Sequence, residues 1–147
     1  MSTTTAVSSV ANRTPRATGT ALSRVTLHLA RSHEHPEGSG LHGYEIVAPL
    51  TSSGKLDPEA WNDRRGLCRV RRFWAGEPDR RGVLVHRPGG AEGATWWIDY
   101  DPTSFADDEA GYRLGSHVFA EGEYVSIRDD DGQMLTFKVA SVRPFGD

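Results

Sequence analysis

The chain has 147 residues, 37% of them apolar and 25% charged, with a formal net charge of −3. That length is enough for one hydrophobic core, and the composition lacks the high net charge and apolar poverty of a disordered protein. A net acidic chain argues against a polyanionic partner. No apolar run reaches the roughly eighteen residues of a membrane span, and the N-terminus lacks the apolar stretch of a secretory signal.

Residues 1–22 are rich in Ser, Thr and Ala, carry Arg13 and Arg16 without an acid, and show no periodicity, so they read as a disordered tail ahead of one β-rich domain at 23–147. From Arg24 the pattern alternates strictly, with Val25, Leu27 and Leu29 on one face and Thr26, His28 and Ala30 on the other, as in a half-buried strand. The segment HEHPEGSGLHG then reads as a loop, and GYEIVAPL as a second strand stopped by Pro49.

Asp57-Pro58 is the one convincing helix start, with Asp able to cap free amides and Pro at the first helical position, where its missing N–H costs nothing. A short helix to about Arg65 is expected to cover one end of a sheet, anchored by Trp61. Three closely spaced strands follow at Leu67–Trp74, Val83–Arg87 and Thr95–Tyr100, separated by the turn-like AGEPDR and PGGAEG. In the last of them Trp96, Ile98 and Tyr100 share one face, which leaves Trp97 needing cover on the other.

DPTSFADDEAGYRLGSH reads as a surface excursion tethered by Phe105 and Tyr112. EYVSIRDDDGQMLTFKVASV alternates on both sides of an Asp/Gly turn and predicts a β-hairpin. Six or seven strands with short connections predict a mostly β fold, a small antiparallel β-barrel, with a two-sheet β-sandwich as the alternative.

Charge is unevenly spread. Eight arginines between Arg64 and Arg87 meet only Glu77 and Asp79, while eleven acids between Glu92 and Asp131 meet only Arg113 and Arg128. These two sets are expected to pair with each other or to leave the fold an electrostatic dipole. The general arginine bias is what a GC-rich genome would produce. The lone Cys68 cannot form an internal disulfide and reads as a buried structural thiol, consistent with a reducing cytoplasm.

Three sets of residues are candidates for chemistry. His33, His35 and His42, with Glu45 and His28 close in sequence, could hold a divalent metal, the one cofactor the sequence leaves open. This His-x-His followed by an acid resembles the first metal motif of the cupins. The resemblance implies ligand roles for His33, His35 and Glu45, although the spacing to the carboxylate differs and no second motif is recognisable around His86.

Arg69, Arg71 and Arg72, interleaved with Phe73 and Trp74 and followed by Arg80 and Arg81, could track a phosphate backbone. The acidic total and the lack of an RNP, KH or cold-shock signature place nucleic acid behind a protein or small-molecule partner. The acids Asp99, Asp101, Asp107, Asp108 and Glu109 are a third set, with Asp99 in an aromatic strand where burial would make it a candidate acid/base group. Asp129, Asp130 and Asp131 read as a solvated turn.

No nucleophile elbow, P-loop, dinucleotide fingerprint or zinc framework is present. The reading is therefore a non-enzymatic binding or accessory module of a soluble bacterial-type protein. Its binding surface is expected to draw on Arg69, Arg71, Arg72, Trp74, Trp96 and Trp97.

Overall fold

The computed structural model describes residues 21–87, 95–100, 109–111, 114–129 and 132–145, the backbone alone at 109–111. Most of the N-terminal tail, the turn at 88–94, most of the excursion after Tyr100 with Phe105 and Tyr112, and Asp130 and Asp131 lie outside the described residues.

Eight strands pair antiparallel throughout: β1 (Leu22–Leu29), β2 (Ser39–Pro49), β3 (Arg69–Trp74), β4 (Glu77–His86), β5 (Trp96–Asp99), β6 (Glu109–Gly111), β7 (Tyr124–Arg128) and β8 (Met134–Pro144). Their order round the barrel is β8-β1-β2-β3-β4-β5-β6-β7. Seven of them form a strongly curled sheet. Among the described residues the short β6 closes the ring through one residue pair, Ala110 with Arg128. The sheet is thus the barrel expected from the sequence and not a sandwich, and closure removes the long free edges that a curled sheet would otherwise expose.

Alternation assigns the faces. In β1, Val25, Leu27 and Leu29 are buried while Arg24, Thr26 and His28 point outward, as the sequence pattern requires. Tyr44, Ile46, Val70, Leu84, Trp96 and Ile98 continue the core round the ring, and Val125, Ile127, Phe137 and Val139 complete it from the hairpin. Tyr44 meets Phe137 edge to face at 5.1 Å, an arrangement that sets the positive ring edge against the negative face. Side chains fill the interior, which is the usual state of a barrel this small.

The helix α1 (Pro58–Arg64) forms where Asp57 and Pro58 predict it, with Asp57 Oδ1 accepting from the amides of Glu59 and Ala60 at 3.0 and 3.2 Å. Trp61 anchors it as expected. Its indole N–H donates to the Leu84 carbonyl at 2.8 Å, and its ring stands edge-on to Trp96 at 6.0 Å. The helix therefore lids the barrel end where β4 finishes and β5 begins. No helix among the described residues is long and apolar enough to cross a membrane.

Three boundaries differ from the sequence expectation. β2 begins at Ser39, inside the expected loop, because the chain bulges there: Leu29 pairs with Ser39 and His28 with Gly43, so Gly40, Leu41 and His42 have no opposite residue in β1. A side chain on Gly43 would collide with the Leu27 carbonyl, which is why a glycine stands in this strand.

β4 begins at Glu77, so the expected turn AGEPDR contracts to Ala75-Gly76, with Gly76 at a φ of 85°. Pro78 is tolerated because it falls at a register irregularity against β3, and β5 reaches only Val83 to His86. The third difference is β6, three residues long and too short to carry a pattern, in a segment that reads as loop. The predicted β7–β8 hairpin is present, with Gly132 at a φ of 85° and the Asp129 carboxylate accepting from the Gln133 amide at 2.9 Å.

Candidate functional site

Strand alternation divides the arginine- and tryptophan-bearing residues among three places. Arg69 and Arg71 point outward from β3, whereas Arg72 and Trp74 point toward the barrel mouth opposite α1. Trp96 is 1% exposed and belongs to the core. Trp97 faces out from β5, where the Arg87 guanidinium lies 5.0 Å above its ring and supplies the cover its position demands.

The histidines separate by the same rule. His42 and Glu45 stand an odd number of residues apart in one strand and so take opposite faces. Glu45 lies on the outer wall beside the Arg71 guanidinium at 3.3 Å, while His42 turns to the mouth, where it meets the rings of His35 at 4.8 Å and Trp74 at 4.5 Å. His33 is exposed, and His28 packs edge-on to Phe73 at 6.2 Å on the outer wall.

Of the proposed metal ligands, then, the structure brings together His35 and His42 and no others. No group of three His, Cys, Asp or Glu side chains placed to hold a metal occurs among the described residues. The Ser39 hydroxyl accepts from the Leu41 amide at 3.1 Å and is hydrogen-bonded to His42 Nδ1 at 2.7 Å, the donor being set by the imidazole tautomer. Burial is the main cause that lowers the His42 pKa, followed by the neighbouring His35 and Arg72, with Glu77 pulling the other way.

The expected pairing of the basic segment with the acidic second half is corrected for Arg71. It donates to Glu45 at 3.3 Å and to Asp79 at 2.8 Å, acids on the strands flanking it, and these two carboxylates raise its own pKa. Arg72 likewise reaches Glu77 of β4 at 3.3 Å. Strand neighbours are nearer than residues across the barrel, so local acids neutralise first.

The outer wall of β1–β5 carries a groove of about 620 Å³, within the size range of small-molecule sites. Val47, Leu67, Val83 and Phe145 give it an apolar floor, and Arg24, Arg69, Arg71 and Arg81 stand round it, with Glu45 and Asp99 as its lining acids. In β-sheet register Arg71 lies directly opposite Arg81, a like-charge pairing that is unfavourable in itself.

Glu45 and Asp79 compensate Arg71. Arg24, Arg69 and Arg81 have no carboxylate partner among the described residues: Arg24 stacks on Phe145 at 5.2 Å, and Arg69 Nε donates to the Gly66 carbonyl at 3.4 Å. The sequence marked Arg69, Arg71 and Arg81 but missed Arg24, Val47 and Val83. Their common outward parity was legible, but their adjacency depends on strand order.

Aromatic faces are already in use. Arginines lie over Trp61, Phe73, Trp74, Tyr100, Trp97 and Phe145 at 3.9 to 5.2 Å. Single-stranded nucleic acid binds by stacking bases on open aromatic faces, and the chain's own guanidinium groups occupy these six, leaving the exposed Tyr124 of β7, which lies outside the groove. Compared with models of known protein families, with curated proteins and with solved structures, the chain matches none.

Proposed function

We propose that the protein is a non-catalytic binding module whose ligand lies in the groove on the outer wall of β1–β5. One observation carries the reading: arginines without carboxylate partners surround an apolar floor, and one of them directly opposes another arginine. A sheet surface selected only for stability and solubility would place an acid or a neutral residue opposite Arg71. Apolar floors with a few converging polar groups are the usual construction of small-molecule sites.

The test is a small-molecule screen followed by amide chemical shifts, on the wild type and on Val83→Asp. Val83 is exposed and stands opposite Arg69 in register, so this variant sets a carboxylate beside a groove arginine, and its fold is checked by its amide spectrum. The expected result is a ligand class that shifts the β2–β4 amides of the wild type and is displaced in Val83→Asp. Ligands that bind both proteins alike, or a screen in which no compound shifts those amides, would overturn the proposal.

A further inference from the structure

We infer that the ligand of this groove is a small organic acid, one or two negative charges on an apolar body. The inference rests on the binding-groove reading above and adds the chemistry of the occupant. Four arginines and two acids line the groove, and Asp79 adds a third carboxylate on Arg71, which leaves a surplus of one positive charge. Glu45 already holds Arg71, and the surplus therefore resides on Arg24, Arg69 and Arg81. Guanidinium groups present forked donors that match carboxylate and phosphate oxygens alike, which makes the acid group the shared chemistry.

The floor fixes the other half of the molecule. Val47 is 8% exposed and Val83 36% exposed, so a shallow aliphatic surface runs between the charges and gains by being covered. An inorganic anion would leave that surface wet. The chain's own N-terminal segment is excluded as occupant by charge, since residues 1–20 carry Arg13 and Arg16 and no acid. A nucleic acid is disfavoured because the ring faces it would stack on are covered by arginine.

The experiment titrates naphthoate, naphthyl phosphate, naphthalenemethanol and inorganic phosphate into the full chain, read by amide chemical shifts, with Arg81→Thr and Glu45→Gln as variants. At least one of the two aromatic acids is expected to shift the groove amides, and the tighter of them names the acid group. The neutral alcohol and inorganic phosphate are each expected to bind at least roughly tenfold more weakly.

Arg81→Thr is expected to lose roughly tenfold in affinity for the acid without a lower melting temperature, because it removes the like charge opposite Arg71 and supplies a good strand residue. Glu45→Gln is expected to tighten binding, since it removes a negative charge from the groove while Asp79 still holds Arg71. A groove arginine that served only the fold would show neither effect.

The outcomes separate the two readings. If the alcohol binds the groove as tightly as the acids, or Arg81→Thr keeps their affinity, the acid assignment fails while the groove stands. Inorganic phosphate binding as tightly as naphthyl phosphate would remove the apolar half of the assignment. If none of the four compounds moves the groove amides, the groove reading fails with it.

Discussion

The indole N–H of Trp61 donates to the carbonyl of Leu84 at 2.8 Å, and through this bond the one α-helix among the described residues is fastened to the barrel wall. Both groups are buried, so losing the donor leaves a carbonyl without its partner. Trp61→Phe keeps most of the packing and is expected to cost about 1–2 kcal/mol in urea unfolding. Trp61→Ala, which also empties the space beside Trp96 and His86, is expected to cost about 3–5 kcal/mol. A Phe variant as stable as the wild type would show that packing alone holds the helix.

Glycines give a graded test of the barrel wall. Gly43→Ala drives a methyl into the Leu27 carbonyl and is expected to destabilise by about 3 kcal/mol or more. Gly82→Ala places its methyl 2.5 Å from the Asp99 carbonyl oxygen and 3.0 Å from Tyr100, so β4 and β5 must separate slightly, at a cost of about 1–3 kcal/mol. Gly66, with nothing within 4 Å of a methyl, is the control, and Gly66→Ala is expected to be neutral or slightly stabilising. Equal effects at the three sites in thermal denaturation would contradict this account of the strand packing.

Acid should weaken the barrel mouth. His42 titrates below its ordinary value of 6.5 in the folded protein, chiefly because it is buried. As pH falls below 6.5 the unfolded chain takes up a proton that the folded chain resists, so stability declines from there down through the folded pKa and is flat above it as far as this group is concerned. Urea midpoints measured across that window should fall less steeply in His42→Asn, whose side-chain amide can still hydrogen-bond to Ser39. An unchanged slope would assign the acid sensitivity to other groups.

Cys68 is fully buried, and burial pushes its thiol up to about 11. The folded protein at pH 8 should therefore react with a thiol reagent no faster than it unfolds, whereas the urea-unfolded chain reacts at once. Rapid labelling of the native protein would show that the α1 to β3 connection opens locally.

The sequence disclosed most of the fold because its signals were local. Val25, Leu27 and Leu29, the Asp57-Pro58 cap and the alternation round the Asp129–Gly132 turn each declare their element within a few residues. The boundaries that escaped were those where a glycine or proline meant something other than a loop. Gly40 lies inside β2 at the bulge opposite β1, and Pro78 sits on an unpaired stretch of β4.

The groove was only half visible for a different reason. Arg69 and Arg71 could be assigned to one face by parity, but Arg72 was grouped with them by proximity in the chain although parity sends it to the mouth. That Arg81 stands opposite Arg71, and Arg24 and Val47 beside them, depends on register across four strands, which no local pattern encodes. The histidines failed to converge with Glu45 for the same reason, an odd spacing along one strand.

The single-pair closure between β6 and β7 lies nearly across the ring from β3, the centre of the groove. Among the described residues every other junction carries three pairs or more, so thermal opening is expected to begin at this seam, on the side away from β3. The strands that carry Arg24, Arg69, Arg71 and Arg81 are joined by five to eight residue pairs at each junction, so a ligand of the proposed groove would not have to order them. With the proposed groove on the far side of the barrel, changes that loosen the seam should alter how long the protein survives far more than how tightly it binds.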